Sequence, residues 1–481
     1  MIVHAGGFHP ANGTARSGTE RVTLETCLKR ARSPGETRGR DAACHAINGD
    51  HGPHAERGGS GMPEGFSAGD TAWLLVSAAL VLLMVPGLAL FYGGMVRIKS
   101  ALNMLMMSFA CLAVVTVVWV LAGYTLAFGK DTAGGLIGSL EHVGMAGIGA
   151  RDLTGSVPTM AFATFQLMFA IITAALLSGA IADRAKFGAW VGFVAVWVLL
   201  VYVPIAHWVF GGGWIATHLR VLDLAGGTVV EVNSGASALA LALVLGPRLG
   251  FRTEAMRPHS LPLVILGAGL LWFGWFGFNA GSALTTGGVA ATAFLNTQVA
   301  GAAAVGGWLI VERWRDGHPT TLGAASGAVA GLVAITPSCG SVNPLGALAI
   351  GLVAGVACCY AVGLKYKLGY DDSLDVVGVH GVGGLIGMLL IGVLATAAVT
   401  GGERGLAFGG GPDLLGRQAL AVLVVAVYAF AVTWLVAKAV DRTVGFRVPP
   451  EHERGGLDLA IHAESAYEQH TTTAGRVSHL A

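Results

Sequence analysis

DLAGGTVVEVNSG, residues 223–235, places an acid, two glycines, a β-branched apolar run and a second acid, Glu231, at the mouth of a hydrophobic segment. The segment runs on through Ala236–Leu245 with no further charge before Pro247 and Arg248. Glu231 therefore lies several residues inside an apolar helix, well away from lipid headgroups. A carboxylate at that depth costs a few kcal/mol or more if it faces lipid, so it is expected to face a protein interior or a water path. The plainer alternative is a carboxylate paired within a helix bundle.

Composition agrees with a membrane setting. Of 481 residues, 54% are hydrophobic and only 12% charged, and the mean hydropathy is +0.67. Soluble domains carry about 25% charged residues, so the chain reads as an all-α polytopic membrane protein. Seventy-three glycines suit close helix–helix contact in a bilayer. A net charge of +1 gives no reason to expect a nucleic-acid partner. The six cysteines form no CxxC pair, which argues against a metal site or a disulfide framework. No cofactor is expected.

Residues 1 to about 65 differ from the rest. They are rich in Gly, Arg, His and Glu, with no apolar run. This stretch reads either as a disordered extension or as the product of an upstream start codon, with Met62 the expected native start. No chemistry is expected of it.

From there, apolar segments long enough for the roughly 20 residues a span needs follow near 70–95, 103–128, 158–182, 187–209, 227–246, 260–280, 290–312, 322–338, 344–364, 376–398 and 416–440. That makes eleven, within a membrane domain over 66–441 and ahead of a tail over 442–481. Loops after the odd-numbered spans hold Arg97 and Lys99; Arg184 and Lys186; Arg248, Arg252 and Arg257; Arg313 and Arg315; Lys365 and Lys367. The intervening loops are poor in cations. The positive-inside rule puts the first set in the cytoplasm, the N-terminus outside and the tail inside.

An internal echo follows. Asp223 precedes Glu231 by eight residues, and Asp372 precedes His380 by eight in DDSLDVVGVHGVGG (371–384). Spans one to five and six to ten are odd-numbered halves, so a two-fold repeat must be inverted, with its site at the interface near the midplane. Glu231 and His380 are then expected to meet from opposite halves. A histidine on an apolar helix is more often a satisfied core residue, but Gly378, Gly381, Gly383 and Gly384 make this helix thin. Phe169 and Phe278 suit an aromatic constriction, though spacing alone favours ordinary core aromatics.

At these residues the chain resembles the ammonium transporter (Amt/Mep/Rh) family, Amt branch, over about 66–467. The matching stretches are VPGLALFYGGMVR (85–97), PIAHWVFGGGW (204–214), DLAGGTVV (223–230), GWFGFNAGSA (274–283), DVVGVHGVGG (375–384) and GLDLAIHAESAY (456–467). The resemblance implies eleven spans, N-out and C-in, a homotrimer with one pore per subunit, and ammonium conduction across the cell membrane. It assigns Ser282, Phe165 and Phe169 to the external recruitment site and upper gate, Phe278 to the second gate ring, Asp223 to a structural acid below the vestibule and His380 to the pore's histidine pair. Asp372, by the echo, is the second structural acid.

Two positions depart from the family's common pattern. Glu231 stands where the first pore histidine usually is. Phe210 stands at the vestibule tryptophan, and offers a cation a weaker aromatic face; Trp208, two residues earlier, is the candidate to compensate. An acid beside His380 makes an ion pair or a shared-proton unit. The resemblance also implies that the tail docks on the cytoplasmic face, where a PII-type regulatory protein can block the pore. The competing readings are a neutral-gas channel of the Rh kind and an ammonium sensor. No nucleophile–base pair or phosphate-cradling loop suggests an enzyme.

Overall fold

The computed structural model describes residues 62–467. Of the expected N-terminal extension, residues 1–61 lie outside the described residues, as do residues 468–481 of the tail. Ten helices are long and apolar enough to cross a membrane: α1 Ala68–Met95, α2 Ile98–Phe128, α3 Thr159–Ile181, α4 Phe187–Val209, α5 Gly227–Leu245, α6 Leu261–Gly281, α7 Gly288–Arg315, α9 Pro344–Leu368, α10 Val377–Leu394 and α11 Asp413–Thr443. Between α7 and α9 lies a shorter apolar helix, α8, Thr321–Ile335. The span expected at 322–338 is thus cut short. Pro337 has no amide to continue the ladder, and the chain turns beneath Leu224, whose N–H donates to Pro337 O.

Local sequence sets the helix ends. Ser67, Ser260, Thr320 and Asn343 each accept a backbone N–H with the side chain, at the starts of α1, α6, α8 and α9. Pro262 and Pro344 occupy first-turn positions where a missing N–H costs nothing. The inner helices are α3 and α5, with 89% and 83% of their apolar windows buried, against 33% for α2 and α11. Glu231 sits on one of the two helices most shielded from lipid.

The two helices that carry the echo cross through glycine. A Cβ built on Gly235 would lie 2.2 Å from Gly381 Cα, and one on Gly384 would lie 2.7 Å from Glu231 Cβ. Gly235 follows Glu231 by four residues and Gly384 follows His380 by four, so each ionisable residue carries, one turn on, the gap that admits the other helix. Both ionisable residues also sit in widened turns, Gly227–Val232 and Val377–Gly381, of the kind found at functional sites.

At the ends of the helices that carry the basic loops, several of the counted cations are buried parts of the fold. Arg248 Nε and Nη2 donate to the two Asp371 oxygens at 2.8 and 2.9 Å, and Arg184 Nη1 donates to Ser373 Oγ at 2.6 Å. Arg97 Nε donates to Asp183 at 3.2 Å. The tail binds the same face. Glu453 accepts from Leu249 N–H and Arg447 Nη2, Lys99 Nζ donates to Arg454 O, and the Asp458 oxygens accept the Leu102 and Asn103 N–H groups at 3.0 and 2.8 Å. Asp458 therefore caps the first turn of α2 from more than 350 residues away. Asp458→Ala removes that cap, worth about 1–2 kcal/mol, and is expected to lower the melting temperature of the detergent-solubilised protein by several degrees. An unchanged melting curve would show that the tail contributes nothing to this face.

Candidate functional site

The phenylalanine cluster expected at the outer end is built from α3 and α6. Phe165 and Phe169, one turn apart, have ring centroids 4.9 Å apart, and Phe169 stacks on Phe278 at 4.1 Å and 22°. Both stacked rings are 1% exposed. Gly281 leaves room for Phe165: a Cβ there would sit 3.0 Å from its ring. Ser282 ends α6 with its Oγ donating to Phe278 O at 2.8 Å, leaving the hydroxyl's lone pairs open to a donor.

Two further residues of the expected vestibule stand apart from the stacked phenylalanines. Trp208 is 6% exposed, donates through Nε1 to Leu136 O at 2.9 Å and packs on Tyr428 at 4.6 Å. Its indole is committed, and no ring contact joins it to the phenylalanines among the described residues. The reason is ordinary: a buried indole N–H needs an acceptor, and the loop carbonyl supplies one. Phe210 is half-buried, 3.6 Å from where a Cβ on Gly226 would lie, beside the start of α5 rather than against Phe165.

Below the stacked rings lies a narrow chamber of about 10 Å³, room for about one water-sized molecule. Its wall includes Leu88, Ile172, Val230 and Trp275, with Phe278 at one end and Glu231 and His380 among the lining. The Trp275 N–H is already given to Thr336 Oγ1 at 2.8 Å. A second chamber of about 10 Å³ shares Phe91, Val329 and His380 with the first and continues to Ser326, Leu374 and Asp375. His380 thus lines both chambers, whereas Glu231 lines only the first.

At the junction, His380 Nδ1 and Glu231 Oε2 stand 2.7 Å apart, with the side chains 5% and 1% exposed. That distance suits a charge-assisted hydrogen bond. Glu231 Oε1 is buried and has no hydrogen-bond partner. An unpaired carboxylate oxygen in an apolar chamber costs free energy unless a donor comes to it. The site so built holds a proton between two groups and offers one acceptor to whatever enters from the phenylalanine side.

The two expected structural acids hold the helix starts in the same manner. Asp223 accepts the Gly226, Gly227 and Thr228 N–H groups and the Thr228 hydroxyl, at 2.9, 2.6, 2.8 and 2.5 Å. Asp372 Oδ2 accepts Val377 N–H at 2.7 Å. In each case the bond reaches five residues forward, and the ionisable residue of the pair comes three residues after that. Asp372 is 1% exposed, and burial lifts its carboxyl from 3.8 to about 6, against the pull of Lys365 and with a push from Asp375. A carboxyl raised in the folded state costs stability when ionised, a cost present above its folded value and relieved as the pH falls toward the unfolded one. Asp372→Asn keeps an acceptor for Val377. It is expected to melt higher than wild type at neutral pH, with the two curves converging as the pH drops from about 6 to about 4. A gap that persists at the acid end would contradict this.

A family model described as "Ammonium Transporter Family" matches residues 72–467, most of the chain, from within α1 to the end of the described tail. The chain belongs to the ammonium transporter family. An "Ammonium transporter" of Mycobacterium tuberculosis (strain H37Rv) is 55% identical over 439 residues, covering 85% of this chain and 91% of that relative. Among solved structures, Mep2 of Candida albicans aligns with TM-score 0.76 at 36% identity, covering 80% of this chain and 87% of that one. A "Sensor Amt Protein" aligns at 0.76 with 32% identity, covering 82% and 98%. The transporter is a multi-pass protein of the cell membrane and not an enzyme.

Some of the transporter's site residues escaped the sequence reading. Trp275, which walls the first chamber, and Asp375, which ends the second, lie inside quoted motifs but were given no role. The widened turns had a faint signal in the glycine-flanked valine runs before each ionisable residue.

Proposed function

We propose that this ammonium transporter strips a proton from ammonium at the Glu231–His380 pair and passes the proton and the neutral ammonia separately along the same path. The observation that carries this is the pair itself: a carboxylate and an imidazole 2.7 Å apart, placed where two apolar chambers meet. Moving the intact cation through such chambers costs far more than moving ammonia.

Ammonium is held outside the phenylalanine pair, its N–H groups offered to Ser282 and its charge to the faces of Phe165 and Phe169, with Phe210 and Trp208 further out on that side. Beyond the gate, ammonium gives one proton to the Glu231 carboxylate and becomes ammonia. The acid passes that proton to the His380 ring. The imidazolium returns a proton to ammonia in the second chamber, which restores ammonium, neutral imidazole and the starting carboxylate. Charge and nitrogen cross one for one.

The surrounding architecture is read in the same terms. Eight-residue spacing on both helices, matched acid caps and reciprocal glycines support an inverted repeat of α1–α5 and α6–α10. Counting α8 as a span gives eleven, with the N-terminus outside and the tail in the cytoplasm. The transporter is a homotrimer with one pore per subunit, and its tail face is the docking surface for a PII-type regulator.

Ammonium added to one side of proteoliposomes carrying the protein is expected to evoke a saturable current. Saturable methylammonium uptake with no current would replace this reading with the neutral-gas channel. Neither flux would leave the sensor.

A further inference from the structure

Ser282 ends α6, and α1 grips the chain on either side of it. Trp73 donates its indole N–H to Ala280 O at 3.2 Å, two residues before Ser282. Asp70 Oδ1 accepts the Thr286 N–H at 2.7 Å and the Thr286 hydroxyl at 2.9 Å, four residues after it. The other oxygen, Oδ2, accepts the Ser156 hydroxyl at 2.7 Å, in the short hairpin that leads into α3. Asp70 is buried, and its two oxygens serve two loops.

The spacing on α1 explains how one helix does this. Asp70, Trp73, Ser77 and Leu80 recur at three- and four-residue intervals and so share one face. That face runs along α6 at close range: a Cβ on Gly277 would lie 2.6 Å from Leu80 Cβ, and one on Gly281 2.5 Å from Ser77 Cβ. Between the two grips the backbone bends. Leu284 has φ +57°, a conformation rare for leucine, and its N–H closes the bend by donating to Gly281 O at 2.9 Å. Such a conformation persists where its surroundings hold it, and the Asp70–Thr286 bonds lie two residues on.

We propose that Asp70 is a positioning residue for ammonium recruitment: through Thr286 it holds the bend at Leu284, and through the bend it holds the Ser282 hydroxyl at the end of α6. The inference rests on the recruitment role given to Ser282 above. A hydroxyl accepts well from a small cation only over a narrow range of distance and angle. Ser282 follows the last residue of α6, Gly281, where no further helical turn fixes the backbone. Asp70 acts on the ion through Ser282 alone, since both its oxygens are engaged. Trp73 fixes the near side, so the segment 280–286 is held at both ends.

The test follows methylammonium uptake by the full-length protein in cells that have no other ammonium transporter, with half-saturation and maximal rate read separately. Ser282→Ala is expected to raise half-saturation about tenfold, the usual worth of a hydrogen bond to a charged donor. Asp70→Asn keeps the size but gives up one acceptor, and is expected to raise it roughly threefold or more with the maximal rate near wild type. Thr286→Ala shifts half-saturation in the same direction, Thr286→Ser keeps the wild-type value, and Ser156→Ala, which frees only the other loop, leaves it unchanged. Asp70→Asn combined with Ser282→Ala is expected to add nothing to Ser282→Ala, because one residue acts through the other. A further rise in the double variant, or an equal shift from Ser156→Ala and Thr286→Ala, would show general loosening and overturn the assignment. So would unchanged half-saturation in folded Asp70→Asn and Thr286→Ala proteins while Ser282→Ala shifts. Unchanged half-saturation in Ser282→Ala itself overturns the recruitment role together with the assignment, and that control separates the two failures.

Discussion

Glu231→Gln is expected to cut the ammonium-evoked current by about two orders of magnitude or more, the usual range for removing a positioned acid–base group. The amide fills the same space and still accepts a hydrogen bond from His380, so the helix crossing survives. What it loses is the capacity to take a proton. His380→Ala is expected to abolish current to the same degree, and the double variant to be no worse than either single one, because two groups passing one proton act as a unit. Folding is controlled by the melting curve: breaking a buried pair by removing one charged member can itself destabilise, so a variant counts only if it elutes and melts as a folded protein. Current at the wild-type level in both variants would reduce the pair to a strut between two helices.

Gly235→Ala is expected to remove most of the folded protein, although it adds a single methyl group. That methyl would sit 2.2 Å from Gly381 Cα and 2.5 Å from Gly381 N. These are backbone atoms, which cannot rotate aside as a flexible side chain does. Overpacking a tight core costs about 1–3 kcal/mol, sometimes more, and a clash of this depth belongs at the upper end. Gly384→Ala meets Glu231 Cβ at 2.7 Å and Val232 N at 3.1 Å, and is expected to disturb the pair as well as the crossing. Gly269→Ala is the control. Nothing lies within 4 Å of a Cβ there, and alanine is the better helix former. Size-exclusion profiles of the three variants at equal expression are expected to show Gly269→Ala at or above wild type and the other two far below. A full-height Gly235→Ala peak would show that the two helices do not cross where they are placed.

The sequence carried the pairing of Glu231 with His380 because two regularities had to agree: an eight-residue interval from an acid, and an odd number of spans in each half. The first has a physical basis in the structure. The acids hold helix starts five residues on, and the helices meet where glycine permits. The family motifs brought Phe169 and Phe278 together, and the two rings do stack. Indole is equally good at meeting a cation and at capping a loop carbonyl, and only the fold shows that Leu136 O is available to Trp208. The end of α8 escaped hydropathy because the turn after Ile335, though made of small and polar residues, is buried; Pro337 is the signal in the sequence. The buried arginines were counted as cytoplasmic loop cations. Loop position reveals orientation, but it does not distinguish Arg248, locked to Asp371, from a residue that faces lipid phosphate.

Charge and nitrogen counted together decide the central claim. Proteoliposomes loaded on a conducting support, with current integrated while labelled methylammonium uptake is followed on the same preparation, give the ratio directly. A shared proton handed from Glu231 to His380 requires one elementary charge for each nitrogen delivered, in wild type, at every gradient tested. Nitrogen arriving with no charge would mean that ammonia crosses alone and that the acid and imidazole relay nothing.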